Sequence, residues 1–193
     1  MTDSMRGNNL LVLEGPAVEP LTLAEARAHL RLDGDEEDAV VSACIVAARQ
    51  ACESYTGLSL ISQSWQLYLD RWPRGAVLLP RPPVQEVLEV AVMDAEGGRE
   101  TLDPERYVVD RAAGRPARLV RRGGLSWPRP GRPIGGIEIT YRAGYGDSWN
   151  DVPAALRQGM LLAVAHFFER REGEAGLPPA IATLWQPYRI MRL

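Results

Sequence analysis

The chain has no lysine. All 22 of its basic residues are arginine, against 25 acidic residues, for a formal net charge of −3 over 193 residues. Coding bias is the plain reading of the missing lysine. The balance excludes a bulk field that would demand nucleic acid or a membrane surface as partner. It also leaves every positive group a planar fork suited to carboxylate or phosphate. Histidine is scarce: only His29 and His166 are present, and neither falls in a Cys–His or Ser–His–acid spacing that would make a nucleophile. Cysteine is equally scarce. Cys44 and Cys52 lie eight residues apart on one expected helix, about 12 Å along its axis, too far for a disulfide, so both read as small buried hydrophobes. The glycines at 144 and 146 lack the third glycine of a dinucleotide fingerprint and the lysine of a phosphate loop. The acidic run at 33–38 fails as a calcium loop, because Asp38 and Cys44 stand where glycine and glutamate are needed. No metal-ligand spacing stands out. These absences lead to no enzyme, no cofactor and no metal.

A long apolar run is also missing. The fully apolar run at residues 160–165 is six residues, or nine if His166 is allowed, where a membrane span needs about 18. No secretory leader pattern is present. The expectation is a protein retained in the cytoplasm or built into a particle made there.

What is present is organised around residues 151–173. Asp151 is suited to cap a helix and Pro153 to its first turn. Arg170 and Arg171 suit its last turn, and Gly173 its stop. Leu156, Met160, Val164, Phe167 and Phe168 recur at helical spacing, and Leu161, Leu162, Ala163 and Ala165 make the opposite flank apolar too. This pattern predicts a core helix buried nearly all round. Upstream, Thr22 and Glu25 form a capping box that starts a helix over 23–32. A second helix over 36–55 carries the stripe Val41, Ile45, Ala48, Cys52 and Tyr55 and ends at Gly57. The pattern then changes to period two, with strands expected at 65–69, 77–79, 85–93, 99–102, 107–109, 117–120 and 136–142, and a hairpin turn at 94–98. Residues 10–13 read as a short strand or an arm lying on a neighbour. Helices, then antiparallel strands, then helices make an α+β arrangement in a single domain.

Two surfaces remain. Arg106, Arg111, Arg115, Arg118, Arg121, Arg122, Arg129 and Arg132 are opposed in their interval only by Asp110. The segment reads as a solvated loop, a contact with an acidic protein surface, or a phosphate contact. Asp35, Glu36 and Glu37 are the acidic candidate on an identical subunit. Two different patches meeting head to tail build a ring. The end of the chain, from 177, is unusually apolar for a terminus, so it either packs on its own domain or docks into a partner.

Three stretches carry a family resemblance. The first is Pro20-Leu21-Thr22-Leu23-Ala24-Glu25-Ala26 to Leu30-Arg31-Leu32, followed by the acidic turn, the alanine-rich helix and Tyr55-Thr56-Gly57. The second is Ile137-Glu138-Ile139-Thr140-Tyr141-Arg142-Ala143-Gly144-Tyr145-Gly146, then Val152-Pro153 and the long helix ending Phe168-Glu169-Arg170-Arg171-Glu172. The third is Leu184-Trp185-Gln186-Pro187-Tyr188-Arg189. In order and spacing the chain resembles, over nearly its whole length, the head–tail connector proteins of tailed bacteriophages and of phage-derived gene transfer agents, also called adaptor or head-completion proteins. The resemblance implies a helical core with two N-terminal helices, a long central helix and a short C-terminal one. It implies helices at about 22–57 and 151–172, an inserted antiparallel β region at about 62–142, one connector domain over 1–176 and a docking tail over 177–193. It implies a non-enzymatic virion protein forming a ring, of twelve copies, beneath the portal, with DNA passing through without sequence specificity. The tail would engage the portal protein through Ile181, Leu184, Trp185, Tyr188, Arg189, Ile190, Met191 and Leu193. The opposite face would receive a stopper or tail-terminator protein. Subunit or channel contacts would fall on Asp35, Glu36, Glu37, Arg111, Arg115, Arg118, Arg121 and Arg122. Deleting 177–193 is expected to abolish joining without unfolding the core. The middle region, 71–132, is longer than in the smallest relatives.

Overall fold

The capping box at Thr22 is formed. The Thr22 hydroxyl accepts the Glu25 N–H at 3.1 Å, and the Glu25 carboxylate accepts the Thr22 N–H at 3.0 Å. In this computed structural model, which describes residues 9–111, 116–170 and 176–190, the cap opens helix α1, Leu23–Leu30. The helix stops two residues earlier than its apolar pattern suggests, because Arg31 turns left-handed at φ 58° and its N–H bonds back to Ala28. Helix α2, Asp38–Thr56, follows the acidic turn. Val41, Ile45, Ala48 and Cys52 of the expected stripe are buried, Tyr55 is half-buried, and Gly57 ends the helix at φ 79°. Both cysteines are buried and free, and burial pushes the Cys52 thiol well up from its ordinary value.

Seven strands follow: β2 Gln63–Leu69, β3 Val77–Leu79, β4 Val84–Met93, β5 Arg99–Thr101, β6 Tyr107–Asp110, β7 Ala117–Arg121 and β8 Ile137–Ala143. The expected segment at 10–13 is also a strand, β1 Leu10–Glu14, paired antiparallel with β2. The pairings between these strands are antiparallel, in a five-stranded sheet of order β1-β2-β8-β4-β5 and a three-stranded sheet of order β3-β7-β6. Alternation does the sorting, as period two requires. Trp65, Leu67, Ile137, Ile139 and Tyr141 go inward with Val77, Leu79, Leu119 and Tyr107 to one core.

Helix α3, Ala154–Glu169, begins differently from expectation. Ser148, not Asp151, caps a short 3-10 turn at Trp149–Asp151, with the Asp151 carboxylate returning to the Ser148 N–H at 3.0 Å, and Pro153 occupies the N-cap of α3. The helix is buried on one face only: Leu156, Gly159, Met160, Ala163 and Val164 are covered, while Leu161, Leu162, Ala165, His166, Phe167 and Phe168 are half-buried. The helices α1, α2 and α4 (Pro179–Trp185) supply the packing for that face. Arg171 and Gly173, the expected end of this helix, lie outside the described residues. The glycines before α3 serve close backbone approach. A Cβ at Gly144, whose φ is 143°, would fall 2.5 Å from the Ile61 carbonyl carbon, where Tyr145 N–H bonds to Leu60 and Ser62 N–H to Gly146.

The fold is thus α+β, with four α-helices and antiparallel sheets among the described residues. Contacts divide it into two units. One, which we call the sheet unit, comprises residues 1–15 and 63–143. The other, the helical unit, comprises 16–62 and 144–193, so residues 177–190 belong to it.

Candidate interaction surfaces

The acidic turn sits in the helical unit just ahead of α2. Asp35 and Glu36 are exposed and Glu37 is half-buried at the helix N-cap, while Asp38 is held by Arg27 at 3.3 Å. Acidic charge at this end of a helix is favourable against its dipole. A buried ionic set lies elsewhere in the unit: the Arg49 guanidinium reaches Glu19 at 2.8 Å and Glu53 at 3.1 Å, and Glu53 also accepts the Leu60 N–H at 3.0 Å. It ties residues 16–20 and 57–62 to α2 and has the satisfied partners of a structural network.

The C-terminal segment is pinned to its own unit. Ile181 and Trp185 are fully buried, and the Trp185 indole Nε1–H donates to the Leu156 carbonyl at 3.2 Å, across the space that a side chain at Gly159 would fill. The 3-10 turn Gln186–Tyr188 follows, with the Tyr55 hydroxyl donating to Gln186 at 2.7 Å. The Arg189 guanidinium stands 5.4 Å over the Tyr55 ring, and the Ile190 N–H donates to Thr56 at 2.8 Å. Leu184, Tyr188 and Ile190 are half-buried and Arg189 is exposed. Met191 and Leu193 lie outside the described residues. Tyr145, beneath this segment, has its hydroxyl pushed up to about 12 by burial and then by Tyr188 and Cys52.

In the sheet unit the arginines divide into two groups. Arg118 is spent on Asp110 at 3.0 Å, directly across the β6–β7 ladder, and Arg111 donates to the Gln85 carbonyl. Arg121, Arg122, Arg129 and Arg132 are exposed and make no ion pair among the described residues. Arg115 lies outside the described residues. The loop after β7 is held at two points that sequence reading missed. Arg106 donates to the Ser126 carbonyl at 3.3 Å, and Trp72 both stacks on Trp127 (centroids 4.1 Å apart, planes 7° apart) and donates to the Pro128 carbonyl at 2.8 Å. Trp72-Pro73 and Trp127-Pro128 are the same dipeptide 55 residues apart, the one signal that hinted at the pairing. Among the described residues no three or more His, Cys, Asp or Glu side chains gather to hold a metal ion, and no helix is long and apolar enough to cross a membrane.

These features define an α+β protein whose candidate sites are contact surfaces carried on two units. The chain belongs to the head completion protein family, whose sequence profile matches residues 19–177. Solved structures agree. A chain from the virion of a native gene transfer agent (GTA) particle is 29% identical, with a TM-score of 0.80 over 95% of this chain and 96% of that one. A chain from the neck of an empty GTA particle computed with C6 symmetry is 31% identical, with a TM-score of 0.80 over 95% and 97%. A chain from the neck of a native GTA particle computed with C12 symmetry is 31% identical, with a TM-score of 0.76 over the same shares. No curated protein matches the sequence.

Proposed function

We propose that this chain is a non-enzymatic virion protein of the head–tail junction, an adaptor that forms a ring, twelve copies in all, on the portal of a DNA-filled head and joins it to the tail. The carrying observation is its likeness, over 95% of its length, to chains from GTA necks, one of them computed with C12 symmetry. On this reading the helical unit docks on the portal protein through its C-terminal segment. Leu184, Tyr188, Arg189 and Ile190, with residues 191–193, supply the contact, while buried Ile181 and Trp185 anchor it. The other face of the ring receives a stopper or tail-terminator protein. Many weak contacts add through effective concentration. The acidic turn with Asp35, Glu36 and Glu37 and the arginines of the sheet unit serve neighbouring copies or the channel, where DNA passes without sequence-specific contact.

The test is the mass of the purified protein by light scattering, alone and with its portal ring. The expected outcome is about twelve copies bound per portal ring. A chain that ignores the portal rejects the adaptor reading. A second reading, nucleic-acid binding, draws on exposed Arg121 at the end of β7 and on exposed Arg122, Arg129 and Arg132 in the loop that follows, pinned by Trp72 and Trp127. It requires steeply salt-dependent affinity for free DNA.

A further inference from the structure

Strand β1 ends the five-stranded sheet. Leu11, Val12 and Leu13 are 52%, 44% and 46% exposed. Because successive side chains alternate between faces, β1 offers apolar surface on both sides at once, beside an outer backbone edge that no strand pairs among the described residues. Such edges are normally blunted by lysine, proline or an inward charge. The sequence LLVLE has only its last residue to serve, and Glu14 instead accepts the Ser64 hydroxyl at 3.3 Å.

The same unit holds a second apolar patch. The register sets Val108 opposite Val120, and Leu78 beside Arg118. These side chains face away from the core that receives Val77, Leu79, Leu119 and Tyr107, and Leu78, Val108 and Val120 are 42%, 49% and 38% exposed. The Arg118–Asp110 pair crosses the patch.

We propose that β1 of one copy seats on the outward face of β3, β7 and β6 of the next, so that the sheet unit closes the ring. This rests on the ring reading above. The occupant is a second copy for three reasons. The two patches differ, so identical chains that join them associate head to tail, and each added copy leaves one patch of each kind free until the ring closes. A similar chain comes from a neck with C12 symmetry, in which every copy has the same two neighbours. Of the eleven exposed large apolar side chains among the described residues, nine lie in the sheet unit, so the apolar surface a neighbouring copy can cover is concentrated there. Strand β1 lies outside the segment matched by the family profile.

The experiment uses the full chain and two double variants, Leu11→Asp with Leu13→Asp and Val108→Asp with Val120→Asp. All four positions are exposed, and circular dichroism checks that each variant melts as a folded protein. Masses are read by light scattering up to millimolar concentration. The parent chain is expected to associate beyond dimers and each variant to stay monomeric. An equimolar mixture is expected to stop at dimers, because only one intact patch of each kind survives in it. A parent chain that stays monomeric, a variant that associates alone, or a mixture that stays monomeric overturns the proposal. Loss of portal binding with these masses unchanged would instead reject the adaptor reading and leave this interface standing.

Discussion

At the scale of single residues, the strongest polar cluster is on the sheet unit. Arg99 grips both carboxylate oxygens of Glu89, at 2.5 and 2.6 Å, and the Thr101 hydroxyl adds a third bond at 2.6 Å. Hydrogen bonds from Arg99 and then Thr101 hold the Glu89 carboxyl down at about 2. A carboxyl lowered on folding stabilises above its unfolded value, about 4.3 for glutamate, and that stabilisation is lost as pH falls through about 2. Both side chains are about a third exposed, so solvent screens the pair, and its worth is about 1 kcal/mol. Glu89→Gln is therefore expected to lower stability by about that amount at pH 7, with the gap to the parent closing in acid; urea melts across pH check it. A gap that stays constant down to pH 2 would contradict the assignment. Residues whose partners are local were legible in the sequence: Thr22 with Glu25, and Gly57 at the end of α2. Asp151 was misread because Ser148, three residues earlier, takes the cap and makes Asp151 the returning acid. The stacking of Trp72 on Trp127 was not legible, because nothing local requires them to meet and their shared Trp-Pro dipeptide does not by itself imply contact.

At the scale of elements, the docking of α4 on α3 turns on one missing side chain. A Cβ at Gly159 would fall 2.3 Å from Trp185 Nε1. In an exposed helix Gly→Ala stabilises by about 1 kcal/mol. Here Gly159→Ala is expected to destabilise by about 1–3 kcal/mol and to shift tryptophan emission as the indole is displaced. A variant more stable than the parent would show that α4 does not depend on this approach. Strand positions were readable from alternation, with β3 at 77–79 matching to the residue. The covering of α3 was not readable. Its composition is apolar nearly all round, but only one face receives α1, α2 and α4, and a sequence does not say how many neighbours a helix has. That half-covered flank is where core and contact surface were indistinguishable.

At the scale of the whole molecule, the apolar ending belongs to the helical unit's core. Ile181 and Trp185 are 1% and 0% exposed. Losing a buried tryptophan costs about 3–5 kcal/mol, a large share of the roughly 5–15 kcal/mol of an ordinary domain. Deleting 177–193 is thus expected to destabilise the helical unit as well as to abolish joining, contrary to the expectation from sequence. Near-ultraviolet circular dichroism against temperature checks it; a truncated chain that melts with the parent would place these side chains outside the core. The switch from alanine-rich to alternating segments was plain in the sequence. The partnership of β1 with β2 was not, because two helices intervene. The helical unit is in turn interrupted by the strands: α2 ends at Thr56 and α3 ends at Glu169. During synthesis at roughly 5–20 residues per second, the newly made α1 and α2 therefore wait roughly 6–23 seconds for the helix that covers their apolar stripe. β8, the last strand, is complete before α3 begins. Synthesis thus completes every strand before the helix that closes the helical unit, and any chaperone that protects this chain has the α2 stripe to hold in the interval.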